Sequence, residues 1–324
     1  MYSIKELYQL INQAIAESNY PKQPQELYEP ITYFMDLGGK RIRPILVLMA
    51  CNLFSDDIQK AIQPALGVEL FHNFTLIHDD IMDHAPTRRG KPTVHEKWSS
   101  TTAILSGDVM LIEAYKRIIQ VRSSILPDIL RVFNDTAVGV CEGQQMDMGF
   151  EKATAVQIDD YLHMIRLKTA ILLGGALKIG AMIGGSSPED ANLLYSFGEK
   201  MGIAFQLQDD ILDVYGDPKK IGKQIGGDIL SNKKTFMLIK AQELTQNETR
   251  KTLNSWLTNT KANPQEKIKE VTAIYDQLHI RQLTEQTMNQ FIQSAFLALD
   301  QLRVDRNKKA ALQNFAKQLL MRES

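Results

Sequence analysis

Apolar residues recur at three- and four-residue spacing through most of the chain, while alternating, β-branched runs bounded by turns are scarce. The pattern predicts an all-α fold. Interruptions at residues 21–24, 38–39, 55–57, 84–92, 123–128, 184–190, 216–232 and 259–264 leave about ten helices between them. No long Gly/Ser or Pro-rich linker, low-complexity tract or fixed-period repeat divides the chain, so residues 1–324 are expected to form a single domain. The Gly/Ala-rich stretch 174–185 predicts close helix packing in the centre. At the N-terminus, MYSIKELYQLINQAIAE mixes charges among its apolar residues and reads as an amphipathic helix rather than a signal peptide. The most apolar stretches, 45–54 and 171–185, are short or carry Lys178, and neither reaches the ~20 apolar residues of a membrane span.

Composition adds little to this picture. Lys plus Arg number 37 against 38 Asp plus Glu, so the formal net charge of -1 gives no reason to expect nucleic acid or an anionic membrane as partner. Cys51 and Cys141 stand far apart without metal-ligand spacing, which suits two small core residues in a reducing cytoplasm. The expectation is a soluble, cytoplasmic protein whose important charge is local.

Local charge is concentrated in two acidic segments. His78-Asp79-Asp80-Ile81-Met82-Asp83 ends an apolar helix starting near Ala61, and Asp79 and Asp83, four apart, share one face. Like charges at that spacing repel, and the macrodipole disfavours anions near a helix C-terminus, so a cation is expected to compensate. Gln206-Leu207-Gln208-Asp209-Asp210-Ile211-Leu212-Asp213 repeats the arrangement, with Gln206, Asp209, Asp210 and Asp213 in one polar stripe. A single such cluster is ordinarily a solvated helix end. Two copies with identical spacing, each embedded in apolar helix, point instead to Mg2+, which takes one or two carboxylates plus waters and substrate phosphates.

Matching cations lie in the segment GGKRIRP (38–44), where Lys40 and Arg43 share a face, and at Arg88-Arg89, Lys168, Lys223 and Lys233. The loops 84–92 and 216–234, the second with five lysines and four glycines, are where ligands would be held. Such a set can grip two diphosphates, one through metal and one directly through Lys and Arg. His72, seven residues before Asp79, lies on the same face and within reach of a phosphate, although a core or surface histidine fits as well. Gln144 and Asp147 share a face as candidate hydrogen-bonding partners. No Ser-His-Asp, Cys-His or P-loop pattern is present, which argues against acyl transfer and NTP hydrolysis.

GGKRIRP, HDDIMDHAPTRRGKPTVH, GQQMD, LKTA and FQLQDDILD followed by GDPKKIGKQIGGDILSNK together closely resemble the trans-isoprenyl diphosphate synthase family, over residues 38–233 and in the family's order. The resemblance implies antiparallel helices around a deep cavity, usually in a homodimer, and about three Mg2+ ions. It implies that Asp79, Asp83 and Asp209 are metal ligands supported by Asp80, Asp210 and Asp213. Lys40, Arg43, His72 and Arg89 resemble the isopentenyl diphosphate site, and Arg88, Lys168, Thr169, Gln206, Lys223 and Lys233 the allylic diphosphate site.

Phe74 and Thr75, fifth and fourth before Asp79, resemble the pairing of an aromatic with a small residue in enzymes that stop at C20 rather than C15. At 1.5 Å per residue Phe74 and Phe71 lie ~7.5 and ~12 Å below Asp79, and Phe71 is the alternative floor because Phe74 points farther round the helix. The implied product is geranylgeranyl diphosphate, with farnesyl diphosphate as the alternative. A terpene cyclase is the next rival, but its second metal motif usually differs from DDxxD and it needs no second diphosphate site. A non-catalytic subunit is disfavoured by the intact aspartates.

Overall fold

The structure, a computed structural model, describes residues 2–217 and 225–320. As the periodicity predicted, the described residues are all-α apart from one hairpin, β1 (Thr87–Arg88) and β2 (Lys91–Pro92), with Thr87 opposite Pro92 and Arg88 opposite Lys91. The chain divides into two compact units. The first comprises the residues up to Asp135 with Gly175–Tyr195 and Leu302–Lys309; the second comprises Thr136–Gly174, Ser196–Gln301 and the residues from Ala310 on.

In the first unit α1 (Ile4–Ala16), α2 (Gln25–Asp36), α3 (Ile42–Phe54), α4 (Gln59–Met82), α5 (Val94–Lys97) and α6 (Ser100–Ile118) follow in order. Ser3 opens α1 with a capping box, its hydroxyl taking the Glu6 amide while Glu6 takes the Ser3 amide. The helix α4 packs against α6, α3 and α1. Its residues Ala65, Leu66, Val68, Leu70, Phe71 and Phe74 are buried on successive sides, as befits a helix apolar all round. Within the same unit Gly180 of α9 (Ile171–Gly184) lies on the backbone of Val47 and Gly184 on that of Cys51, the close approach that the Gly/Ala content predicted.

The second unit holds most of α7 (Leu126–Lys152) and α10 (Pro188–Tyr215), α8 (Ile158–Ile165) with the π turn Arg166–Ala170, and the later helices Phe236–Leu244, Asn247–Thr258, Pro264–Gln277 and Ile280–Asp300. Leu207 of α10 joins Tyr161, Met164, Ile165, Phe236 and Ile239 in one cluster, and Ile211 and Val214 join Met237, Leu253, Val271 and Ile274 in another. With its apolar side fixed in both clusters, α10 holds Gln206, Asp209, Asp210 and Asp213 in a set orientation.

The helices outnumber the expected ten, because breaks at 153–157, 278–279 and 301–305 contain neither Pro nor Gly and carried no turn signal. Pro127, inside the predicted break at 123–128, sits in the first turn of α7, where its missing N–H costs nothing. One expectation on apolar length is corrected. The π turn joins α8 to α9, so Ile158–Gly184 is a 27-residue helical run long and apolar enough to cross a membrane, and 78% of its most apolar window is buried within the protein.

Candidate active site

In the first unit the acidic segment occupies the end of α4. Asp83 caps the helix with its amide on the Asp79 carbonyl at 2.8 Å, which keeps the two residues one helical turn apart, as their spacing required. Asp80 points inward, 1% exposed, and the Arg88 guanidinium holds it through Nη2 to Oδ1 at 2.7 Å and Nε to both oxygens at 2.8 and 2.9 Å. Burial pushes the Asp80 carboxyl up from its ordinary range, and the Arg88 bonds pull it back. The hairpin makes this possible. Arg89 and Gly90, both with positive φ (54° and 74°), form its two-residue turn, while Thr93 ties its base to Ala85 at 2.8 Å.

Arg88 therefore returns to the acidic segment, and Arg89 at the turn reaches the carbonyl of Gly38. Gly39 has φ 135°, and a Cβ there would sit 2.9 Å from Arg89 Nη2, so only glycine lets that guanidinium lie across the loop. Arg43, at the head of α3, contacts His72 Nε2 on α4 at 3.0 Å. Burial and the surrounding Arg43, Arg89, Arg88 and Arg41 push the His72 pKa well below its ordinary value, so the ring is neutral. Burial lowers Arg43 to about 10, partly offset by Glu69. The structure thus gathers the exposed Lys40, the half-buried Arg43, His72 and Arg89 around one loop.

Below them lies an aromatic stack. Phe71 is 5.8 Å from Phe74 and 5.3 Å from Phe133 between ring centroids, Phe133 is 5.1 Å from Tyr115, and Phe74 meets His78 at 4.7 Å. Thr75 turns its hydroxyl back to the His72 carbonyl at 2.8 Å.

In the second unit Asp210 is the inward member, 2% exposed. Tyr161 Oη donates to its Oδ2 at 2.5 Å and Gln206 Nε2 to its Oδ1 at 3.4 Å, while Thr169 Oγ1 donates to Gln206 Oε1 at 3.3 Å. Burial raises the Asp210 carboxyl to about 7, against the pull of Tyr161. Asp213 accepts the Asp228 amide at 3.0 Å, and the Lys233 amide donates to the Asp228 carbonyl at 2.9 Å, which folds the lysine's loop onto α10. Lys168 lies in the π turn, a distortion often found at functional sites, and its ammonium reaches Asp147 Oδ2 at 2.5 Å. Gly143 makes room for that turn, since a Cβ there would collide with the Lys168 backbone. Lys223 lies outside the described residues.

The two motifs share a division of labour. Asp80 and Asp210 are buried and fixed by protein donors, whereas Asp83 and Asp209 are exposed, their side chains making no hydrogen bond or ion pair among the described residues. Exposed carboxylates without protein partners beside anchored ones suit a hard divalent cation that keeps its waters and takes phosphate oxygens. Among the described residues no group of three or more metal-ligating side chains forms a closed protein cage. Arg41, Glu69, Asn73, Tyr161 and Phe133 lie outside the site residues that the sequence motifs single out. A lone glutamate inside the apolar run ALGVELF was a usable signal for Glu69, because a charge there must be paired. Tyr161 and Phe133 meet partners on other helices and left no local signal.

Residues 24–275 match the polyprenyl synthetase family model. The chain is 41% identical over 243 residues to the geranylgeranyl pyrophosphate synthase of Geoglobus acetivorans, covering 74% of this chain and 76% of that protein. A crystal structure of a geranylgeranyl pyrophosphate synthase superposes with a TM-score of 0.95 at 40% identity, covering 100% of both chains. The geranylgeranyl pyrophosphate synthase of Corynebacterium glutamicum, complexed with calcium and isoprenyl diphosphate, gives 0.82 at 26% identity, covering 99% of this chain and 96% of that one.

Proposed function

Because this chain belongs to the polyprenyl synthetase family, it is a trans-prenyltransferase, and we propose that it joins isopentenyl diphosphate to allylic diphosphates with geranylgeranyl diphosphate as the main product. The observation that carries the reading is the twinned motif, in which Asp80 and Asp210 are anchored while the Asp83 and Asp209 carboxylates stay exposed and unbonded to described residues. The match to residues 24–275 takes in parts of both units and supports one isoprenoid synthase domain. Homodimerisation is proposed with it, since α6 and its C-cap leave Leu105, Ile112 and Ile119 exposed at seven-residue spacing.

Divalent cations, Mg2+ in this proposal and about three in number, would be held by Asp79 and Asp83 in the first unit and by Asp209 in the second, and would neutralise charge on the leaving diphosphate. Lys40, Arg43 and Arg89 would grip isopentenyl diphosphate, with neutral His72 keeping the Arg43 guanidinium aimed. Arg88 in the first unit, and Lys168, Thr169, Gln206, Lys223 and Lys233 in the second, are assigned to the allylic diphosphate. Cations fixed in advance bind the charge that develops as the C–O bond ionises more strongly than they bind the ground state. The isopentenyl double bond attacks the resulting allylic cation, and the proton lost in closing the new double bond goes to the released diphosphate. No enzyme nucleophile is needed. Phe71 and Phe74 would keep water from the cation and floor the growing tail.

Incubation of the purified chain with Mg2+, labelled isopentenyl diphosphate and dimethylallyl, geranyl or farnesyl diphosphate, followed by chromatography of the dephosphorylated products, tests this reading. Geranylgeraniol as the main alcohol is expected. Farnesol as the end product would overturn the C20 assignment, and no incorporation from any primer would overturn the activity.

A further inference from the structure

A buried ion pair beneath the cationic loop takes no direct part in the proposed chemistry. Arg41 is 6% exposed and Glu69 2%, and Arg41 Nη1 meets Glu69 Oε1 at 2.7 Å. The other arm of the guanidinium, Nη2, donates to the Met35 carbonyl at 2.6 Å. Asn73, wholly buried, braces the acid from one turn on, with Nδ2 to Glu69 Oε1 at 3.1 Å and to the Glu69 carbonyl at 2.7 Å.

Stability does not account for this pair. Taking two charges out of water costs several kcal/mol per ion, and apolar replacement of such pairs is often neutral or stabilising. Arg41 also holds a left-handed backbone, φ 44°, at the head of α3, where it has no side-chain cap. That conformation is unfavourable for a residue with a Cβ and persists only where its surroundings enforce it.

Position does account for it. Glu69, His72 and Asn73 stand at i, i+3 and i+4 on α4 and share a face. Arg41 takes Glu69 and Arg43 takes His72, so two neighbouring cross-links fasten the start of α3 to α4. The intervening loop is tied elsewhere too, by Tyr8 Oη to the Lys40 carbonyl at 2.6 Å and by Arg89 to the Gly38 carbonyl. Glu69 also offsets the burial that draws Arg43 downward.

We propose that the Arg41–Glu69 pair, braced by Asn73, positions Lys40 and Arg43 for the homoallylic diphosphate, making Arg41 and Glu69 positioning residues for that one substrate. The proposal rests on the function proposed above. It treats the pair as a device of register, dispensable for folding.

The test compares wild type with the double variant Arg41→Met/Glu69→Leu, which removes both charges and leaves neither buried alone, and with Arg41→Lys, which keeps the charge but loses the fork. For the double variant KM for isopentenyl diphosphate should rise at least about tenfold, with kcat and the allylic KM within about threefold of wild type. Arg41→Lys should show a smaller rise in the same constant. Calorimetric titration of isopentenyl diphosphate should weaken in parallel, and the thermal midpoint should stay close to wild type. A folded double variant with unchanged KM for isopentenyl diphosphate overturns the proposal. So does one that fails to fold, since the pair would then be a stability element, or one in which both KM values rise equally. Wild-type turnover is the separate control, because its absence would sink the enzymatic reading rather than the role of the pair.

Discussion

The Tyr161 hydroxyl donates to Asp210 Oδ2 at 2.5 Å, and each residue exposes only 2% of its surface. In the other acidic motif Arg88 does the same for Asp80. Each segment thus fastens its middle carboxylate to the protein through a residue outside the motif. Tyr161→Phe removes a donor from a buried carboxyl, and the expected loss is about 1–3 kcal/mol of unfolding free energy. Urea denaturation checks it, and an unchanged midpoint would show that another group holds Asp210.

Asp209 differs from its neighbour, its carboxylate being exposed and without a bond to any described residue. Asp209→Asn is therefore expected to leave the denaturation midpoint at the wild-type value while lowering turnover at saturating Mg2+ at least about a hundredfold, since it removes a charged metal ligand. Steady-state kinetics and circular dichroism measured together decide this. Near-normal turnover would remove Asp209 from the metal site.

His72 makes a pH prediction. Its folded pKa lies well below the ordinary value, mainly through burial and then through Arg43, so between that ordinary value and the folded one the unfolded chain binds the additional proton. Stability from this group is full above about pH 6.5 and is lost as pH falls below it. His72→Gln has no such proton to bind. Thermal midpoints recorded from about pH 7.5 down to 5.5 should fall less steeply for the variant than for wild type, and parallel slopes would contradict the assignment.

Product length should respond to residues on two helices. Phe71 packs edge-on against Phe133 of α7, and both are 1% exposed, so the floor proposed at Phe71 would be shared between two helices. Phe71→Ala or Phe133→Ala should each cost about 3–5 kcal/mol of stability and shift the main alcohol beyond C20. Phe74→Ala, whose ring also meets His78, should act in the same direction. Chromatography of products formed at low temperature tests this, and an unchanged distribution from folded Phe71→Ala protein would place the floor elsewhere.

What the sequence determined by itself is periodic or covalently local. Three- and four-residue spacing set the helices, and the i, i+4 carboxylates set which acids share a face, because both follow from the geometry of one helix. The motif segments marked the residues that the structure then gathered within each unit, Lys40, Arg43, His72 and Arg89 in one and Lys168, Thr169, Gln206 and Asp210 in the other. Only tertiary structure decided which member of each DDxxD turns inward, which guanidinium is spent on Asp80, and that Arg41, lying between two exposed-looking cations, is the buried one. The reason is physical. A side chain's charge, hydration and freedom depend on what other helices bring against it, and partners such as Glu69, 28 residues from Arg41, or Asp210, 49 from Tyr161, meet only when the chain has closed over its core.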